Sequence, residues 1–201
     1  MEKVYFSLDI EATGRSPGKH SMLSIGACVV GDEDRAFYRE IKPISNNFTL
    51  EAMRVGCLGL KCLEKFRGNP EYDPKSGQFR PDLVLRVLES EGEFPAAAMS
   101  QYSEWVLENS RGKKPVEVSK PSKFDGGYTE WYFDNYYAGN NPFGHSGIDM
   151  GSLYKGIMRD LGADCDTLIS GPLEHNALRD AIAQSRAFSA MLEMIGTLTG
   201  R

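Results

Sequence analysis

A mixed β-sheet flanked by helices, in the α/β class, is the fold this sequence predicts. Three observations lead there. Residues 3–11 alternate between apolar and polar, two more strand-like segments follow around a short turn, and helical patterns then alternate with one further short strand. At 201 residues the chain is long enough for one well-buried domain, taken as residues 1–201, and too short for two comfortable ones.

In the first strand Val4, Phe6, Leu8 and Ile10 point one way and Tyr5, Ser7, Asp9 and Glu11 the other. This predicts one buried face, with two carboxylates side by side on the opposite one. A loop rich in Gly and Ser leads to a second strand over 22–30. Gly31-Asp32-Glu33-Asp34 is expected to turn, and residues 36–41 to return antiparallel. Thr49 is placed to cap a short helix that Gly56 and Gly59 weaken or end. Residues 67–81, crowded with Gly, Pro and Asn, are expected to form an exposed loop between helical segments. Pro95 suits the first turn of a helix whose Ala98, Met99, Tyr102, Trp105 and Val106 share a face. A short central strand is expected at 115–119, then helices over 125–137, 153–161 and 177–195.

Hydrophobic residues at 41% and charged residues at 25% are ordinary for a globular protein. No apolar run reaches membrane-spanning length, and Met1-Glu2-Lys3 leads straight into a strand, so neither a signal peptide nor a membrane partner is expected. The four cysteines form no C-x-x-C pair and sit in apolar or helical contexts, as buried thiols of a cytoplasmic protein do. A net charge of −5 argues against a broad basic face for duplex nucleic acid. It does not exclude a nucleic-acid enzyme, because bound divalent cations would offset a local gathering of carboxylates.

Asp9 and Glu11 end the most apolar strand and run into Thr13-Gly14, where two neighbouring carboxylates repel and call for a cation. The structural alternative is a solvated strand face. Asp180 borders the apolar stripe of the last helix (Leu178, Ala181, Ile182, Phe188, Met191, Leu192, Ile195), where a carboxylate is costly unless paired or metal-bound. It could instead pair with Arg179 or Arg186. His175 lies five positions earlier, roughly 140° away at helical pitch, so it is expected on the preceding loop or in the first turn, leaning over the site. His20 and His145 read as loop residues. Asp125 follows the short strand beside Phe124, and its structural alternative is a helix N-cap.

Taken together, Leu8-Asp9-Ile10-Glu11-Ala12-Thr13-Gly14, Phe124-Asp125 and His175-Asn176-Ala177-Leu178-Arg179-Asp180-Ala181 resemble the three motifs of the DEDDh exonucleases, also called DnaQ-like or RNase T-like 3′→5′ exonucleases. The resemblance covers nearly the whole chain, and the third motif is its most specific part. The chain departs from the family at the second motif. Lys120-Pro121-Ser122-Lys123 stands there where an Asn usually precedes the Asp.

The resemblance implies an RNase H-like fold and a two-metal phosphodiesterase. Asp9, Glu11, Asp125 and Asp180 would bind two divalent cations, Mg²⁺ or Mn²⁺, about 4 Å apart, and His175 would act as general base. Ile10, Ala12 and Thr13 would contact the terminal nucleotide, partly through backbone groups. Lys123, beside Asp125, is a further candidate substrate contact. The expected substrates are single-stranded RNA or DNA 3′ ends, RNA slightly favoured, released as 5′-mononucleotides. A homodimer is compatible with the resemblance. Of the aromatics at Trp131, Tyr132, Phe133, Tyr136 and Tyr137, most should be core. Two other readings compete: a catalytically silent binding or interaction domain on the same fold, and a phosphoesterase of another fold with these motifs by accident.

Overall fold

The central strand β1 (Lys3–Ala12) pairs antiparallel with β2 (Met22–Val29), which pairs antiparallel with β3 (Asp32–Glu40). On its other side β1 pairs parallel with β4 (Lys114–Ser119), and β4 with the two-residue β5 (Ile148–Asp149). The computed structural model describes residues 2–199, and its sheet order is β3-β2-β1-β4-β5. The helices are α1 (Leu50–Gly56), α2 (Pro81–Glu91), α3 (Pro95–Ser110), α4 (Asp125–Tyr136), α5 (Met150–Met158) and α6 (Ala177–Thr199).

The apolar face of β1 meets α3 and α4, with Phe6, Leu8 and Ile10 packed among Met99, Tyr102, Tyr128 and Tyr132. Its other face is not open, contrary to the sequence-based expectation. Helix α6 lies across it, so Ser7 is fully buried and Tyr5 packs edge-on against Phe188 at 5.3 Å. Alternation alone cannot reveal this, because small polar residues tolerate burial where a helix covers them. The close approach depends on Gly26, where a Cβ would fall 2.1 Å from the Leu178 amide nitrogen.

The expected turn at 31–34 is shorter than predicted. Gly31 has φ +81° and turns the chain, and β3 already begins at Asp32. The acidic run is held in extended form by its neighbours, since Arg35 pairs with Asp32 at 2.7 Å and Glu33 accepts the Ser185 hydroxyl at 2.9 Å. Thr49 caps α1 as expected, accepting the Ala52 amide at 3.2 Å. Prolines 81 and 95 start α2 and α3. The 67–81 segment is exposed at most positions, but Pro74, Phe79 and Pro81 are buried and Arg54 ties the Pro74 and Ser76 carbonyls to α1. All four cysteines are free, and Cys28, Cys57 and Cys165 are buried. Among the described residues no helix is long and apolar enough to cross a membrane.

Candidate active site

Asp9 and Glu11 project from the α6 side of β1, two residues apart and therefore on one face. Opposite them α6 presents Asp180 and, one turn on, Gln184, whose Nε2 donates to Asp9 Oδ1 at 2.8 Å. The Glu174 amide donates to Asp180 Oδ1 at 2.9 Å, fixing that carboxylate. Asp180 is 3% exposed and Glu11 8%. Neither Arg179 nor Arg186 neutralises Asp180, since Arg179 pairs with Glu174 instead.

Asp125 is the first residue of α4, one past the cap position, and its side chain caps nothing. Its Oδ1 accepts the Ile10 amide at 3.3 Å, an interruption of the β1 backbone pattern midway between the two strand carboxylates. That bond joins the second motif to the first. His175 lies on the loop just before α6 with φ +53°. A non-glycine residue held in this left-handed region costs on the order of 1 kcal/mol and persists only where surrounding contacts impose it. Asn176 imposes it here, donating to the Gly59 carbonyl at 2.7 Å and accepting the Arg179 amide at 3.2 Å to cap α6. The result brings ligand atoms of Glu11, His175 and Asp180 within 4.8 Å of one another.

All four carboxylates are pushed above the ordinary carboxylate range. For Asp9 the cause is burial first, then the charges of Asp125 and Asp180, against a smaller pull from the Gln184 hydrogen bond. Glu11 is raised by burial and by Asp9 and Asp180. Burial raises Asp125 against the Ile10 amide, and it raises Asp180 against the Glu174 amide and His175. Asp125 Oδ2 and Gln184 Oε1 are buried with no hydrogen-bond partner. Crowded, desolvated oxygens with no lysine or arginine among them in the described residues are what a hard divalent cation needs, so the donor set fits such an ion.

Of the other predicted contacts, Ile10 and Ala12 have buried side chains within the α3–α4 core. Thr13 is fully buried, its hydroxyl accepting the Ser21 amide at 2.9 Å and donating to the Asn47 carbonyl at 2.7 Å. Lys123 is exposed and lines a separate cavity against Glu117. Lys120 is committed to Asp166. Of the aromatics at 131–137, two are buried in the core and Trp131, Tyr136 and Tyr137 are partly buried against it. Tyr132 and Phe133 are buried, and the Tyr128 and Tyr132 hydroxyls tie down Gly14 and Met22 at 2.7 Å each. His20 is a buried loop residue that accepts the Ser16 amide at 3.2 Å. Gln184 lies in no motif, and its only sequence signal is its place one helical turn after Asp180. Asn176 lies within the third motif, but nothing in the sequence assigns its anchoring part there.

The chain is 32% identical over 197 residues to the 3′-5′ DNA exonuclease Cap18 of Escherichia coli, covering 93% of this chain and 90% of that protein. The chain belongs to the DEDDh 3′→5′ exonucleases. As a DEDDh enzyme it is a 3′→5′ exonuclease acting on nucleic acid, on the RNase H-like fold. Among solved structures it is similar to E. coli exonuclease I in complex with single-stranded DNA, with TM-score 0.60 and 14% identity over 100% of this chain. It spans 42% of that exonuclease I chain. It is also similar to the nuclease domain of 3′hExo, a DEDDh family member bound to rAMP, with TM-score 0.59 and 13% identity over 94% of this chain and 92% of that one. No protein-family model matches the chain. The silent-domain and accidental-motif readings therefore fall away for this DEDDh chain.

Proposed function

We propose that the enzyme hydrolyses single-stranded nucleic acid from its 3′ end to 5′-mononucleotides, with Asp9, Glu11, Asp125 and Asp180 as the metal-binding set and His175 as general base. The observation that carries this reading is the convergence of Glu11, His175 and Asp180 within 4.8 Å, beside Asp9 and Asp125, from three separate segments of chain. Two divalent cations held there would supply a nucleophilic water at neutral pH and charge stabilisation for the departing 3′-oxygen.

The chain's own groups do the rest. His175, fixed by the Asn176 anchor, faces the carboxylates and is positioned to take the proton of the attacking water. The Gln184 amide keeps Asp9 turned toward Asp180, and the Ile10 amide keeps Asp125 turned toward β1. With the Thr13 hydroxyl committed to the loop, the backbone of residues 10–12 is the surface left to meet the terminal nucleotide, and Lys123 the cation nearest in sequence for a phosphate.

The residues leave RNA and DNA nearly equivalent, and the sequence favours RNA slightly. The E. coli relative is a DNA exonuclease, which makes DNA the polymer to try first. The test is a time course on matched 5′-labelled single-stranded RNA and DNA with Mg²⁺, Mn²⁺ or EDTA. A ladder shortening from the 3′ end, absent in EDTA, is expected, and the faster ladder names the polymer. A folded protein that gives no ladder on either, with Mn²⁺ present, would overturn the proposal.

A further inference from the structure

Glu117 lies outside the carboxylate cluster, although its charge reaches Asp125 and helps to raise it. It sits on β4, pairs in register with Phe6, and points to the α3–α4 side of the sheet, away from Asp9 and Glu11. It is 7% exposed. Among the described residues no ion pair reaches its carboxylate, and the polar group that counters its burial is the neighbouring Ser119 hydroxyl, itself buried and short of a well-formed hydrogen bond. A buried carboxylate so poorly supplied with donors is costly to keep unless something else provides them.

The carboxylate looks into a cavity of about 250 Å³ lined by Ser122, Lys123, Gly126, Glu130, Asn141 and Gly147, among others. That volume is the liquid share of about eight waters, enough for one flat heterocycle. Glycines leave room for the carboxylate. A Cβ at Gly126 would lie 2.7 Å from Glu117 Oε1 and displace it, whereas one at Gly147 would stand at ordinary contact distance, 3.7 Å, from the same atom. A metal is the poorer fit, because among the described residues only Glu11, His175 and Asp180 converge closely enough to chelate. An arginine or lysine side chain of a protein partner would meet the Lys123 ammonium at the rim, whereas a phosphate would be drawn to it.

We propose that this cavity binds a guanine-type base, with Glu117 accepting from its adjacent ring N–H and exocyclic amine. A carboxylate offers two acceptors and no donor, and guanine is the base whose pairing edge presents two neighbouring donors. The base can belong to the strand being degraded or to a free nucleotide. The strand-borne case rests on the exonuclease reading above.

The test has two arms, each run on the intact wild-type chain, Glu117→Gln and Gly147→Val. The second variant fills the cavity without altering Glu117. In the first arm, single-stranded oligonucleotides differ only by guanine or hypoxanthine at one position, scanned back from the 3′ end. At one fixed distance from the guanine the wild type should change its cleavage rate by about tenfold relative to hypoxanthine, and both variants should lose that difference. In the second arm, guanosine 5′-monophosphate or inosine 5′-monophosphate is titrated calorimetrically in EDTA. Binding of the first alone, lost in both variants, identifies a free nucleotide as the ligand. A normal ladder with no guanine dependence, together with no nucleotide binding, overturns the inference while leaving the exonuclease reading intact. If no ladder forms, the exonuclease reading fails and the calorimetric arm alone decides the cavity. Thermal unfolding of each variant separates loss of the site from loss of the fold.

Discussion

Gln184 and His175 make different demands on the site. His175 carries a proton in the proposed reaction, so His175→Ala should lower turnover by about 10²–10⁴-fold at saturating metal with little change in unfolding temperature. Gln184 touches Asp9 and acts through it. Gln184→Leu should raise the Mn²⁺ concentration needed for half-maximal rate by about tenfold while leaving the rate at saturating Mn²⁺ much closer to normal. Rates measured across an Mn²⁺ titration check both. An unchanged metal requirement in the leucine variant would show that Asp9 needs no such support. The acids and the histidine were legible because their chemistry is conspicuous against apolar periodicity. Gln184 was not, since a glutamine at the edge of a helix stripe usually marks no more than a polar boundary, and only the 2.8 Å bond to Asp9 reveals its part.

At the scale of elements, the two halves of the site are joined by one helix pressed onto one sheet, and Gly26 is where they touch. A methyl group there would fall 2.1 Å from the Leu178 amide and 2.2 Å from the Ala177 carbonyl carbon. Gly26→Ala should therefore cost about 2 kcal/mol of stability and, by lifting α6, reduce activity more than that loss alone explains. Denaturant unfolding and specific activity of the same preparation give the two numbers. Helix starts at Pro81, Pro95 and Thr49 could be read from sequence because capping and proline geometry are local. The early start of β3 could not, because Asp32 and Glu33 are held extended by Arg35 and by Ser185 from the far end of the chain. Nor could the covering of the polar face of β1, which depends on where α6 lands.

For the molecule as a whole, the carboxylates make stability depend on pH in an unusual direction. Each of Asp9, Glu11, Asp125 and Asp180 is raised in the folded state, and Glu117 is raised to about 7 by burial and by Glu130, with the Ser119 hydroxyl pulling the other way. A carboxyl that holds its proton more tightly when folded stabilises the fold below its folded pKa and loses that contribution as pH rises. In EDTA the unfolding temperature should thus fall as pH climbs from about 4, the ordinary carboxylate pKa, to about 7 and beyond. Adding Mg²⁺ or Mn²⁺ should recover most of the loss at the upper end, because the ions bind only the folded cluster. A metal-free protein whose stability rises steadily over that range would contradict the crowding described here. The fold class itself was legible because apolar patterning is averaged over many residues, whereas the cost of the cluster is set by distances among side chains from distant segments.

The Gln184–Asp9 contact spans 175 positions of chain. In the proposed reading, a polypeptide that has passed β1 holds two of the site's acids but completes the site only when the last helix, far along the chain, docks against that strand. The same arrangement suits a split format. Two separately produced pieces, parted in an exposed stretch of 67–81, would each be inert, and cutting would report their reunion.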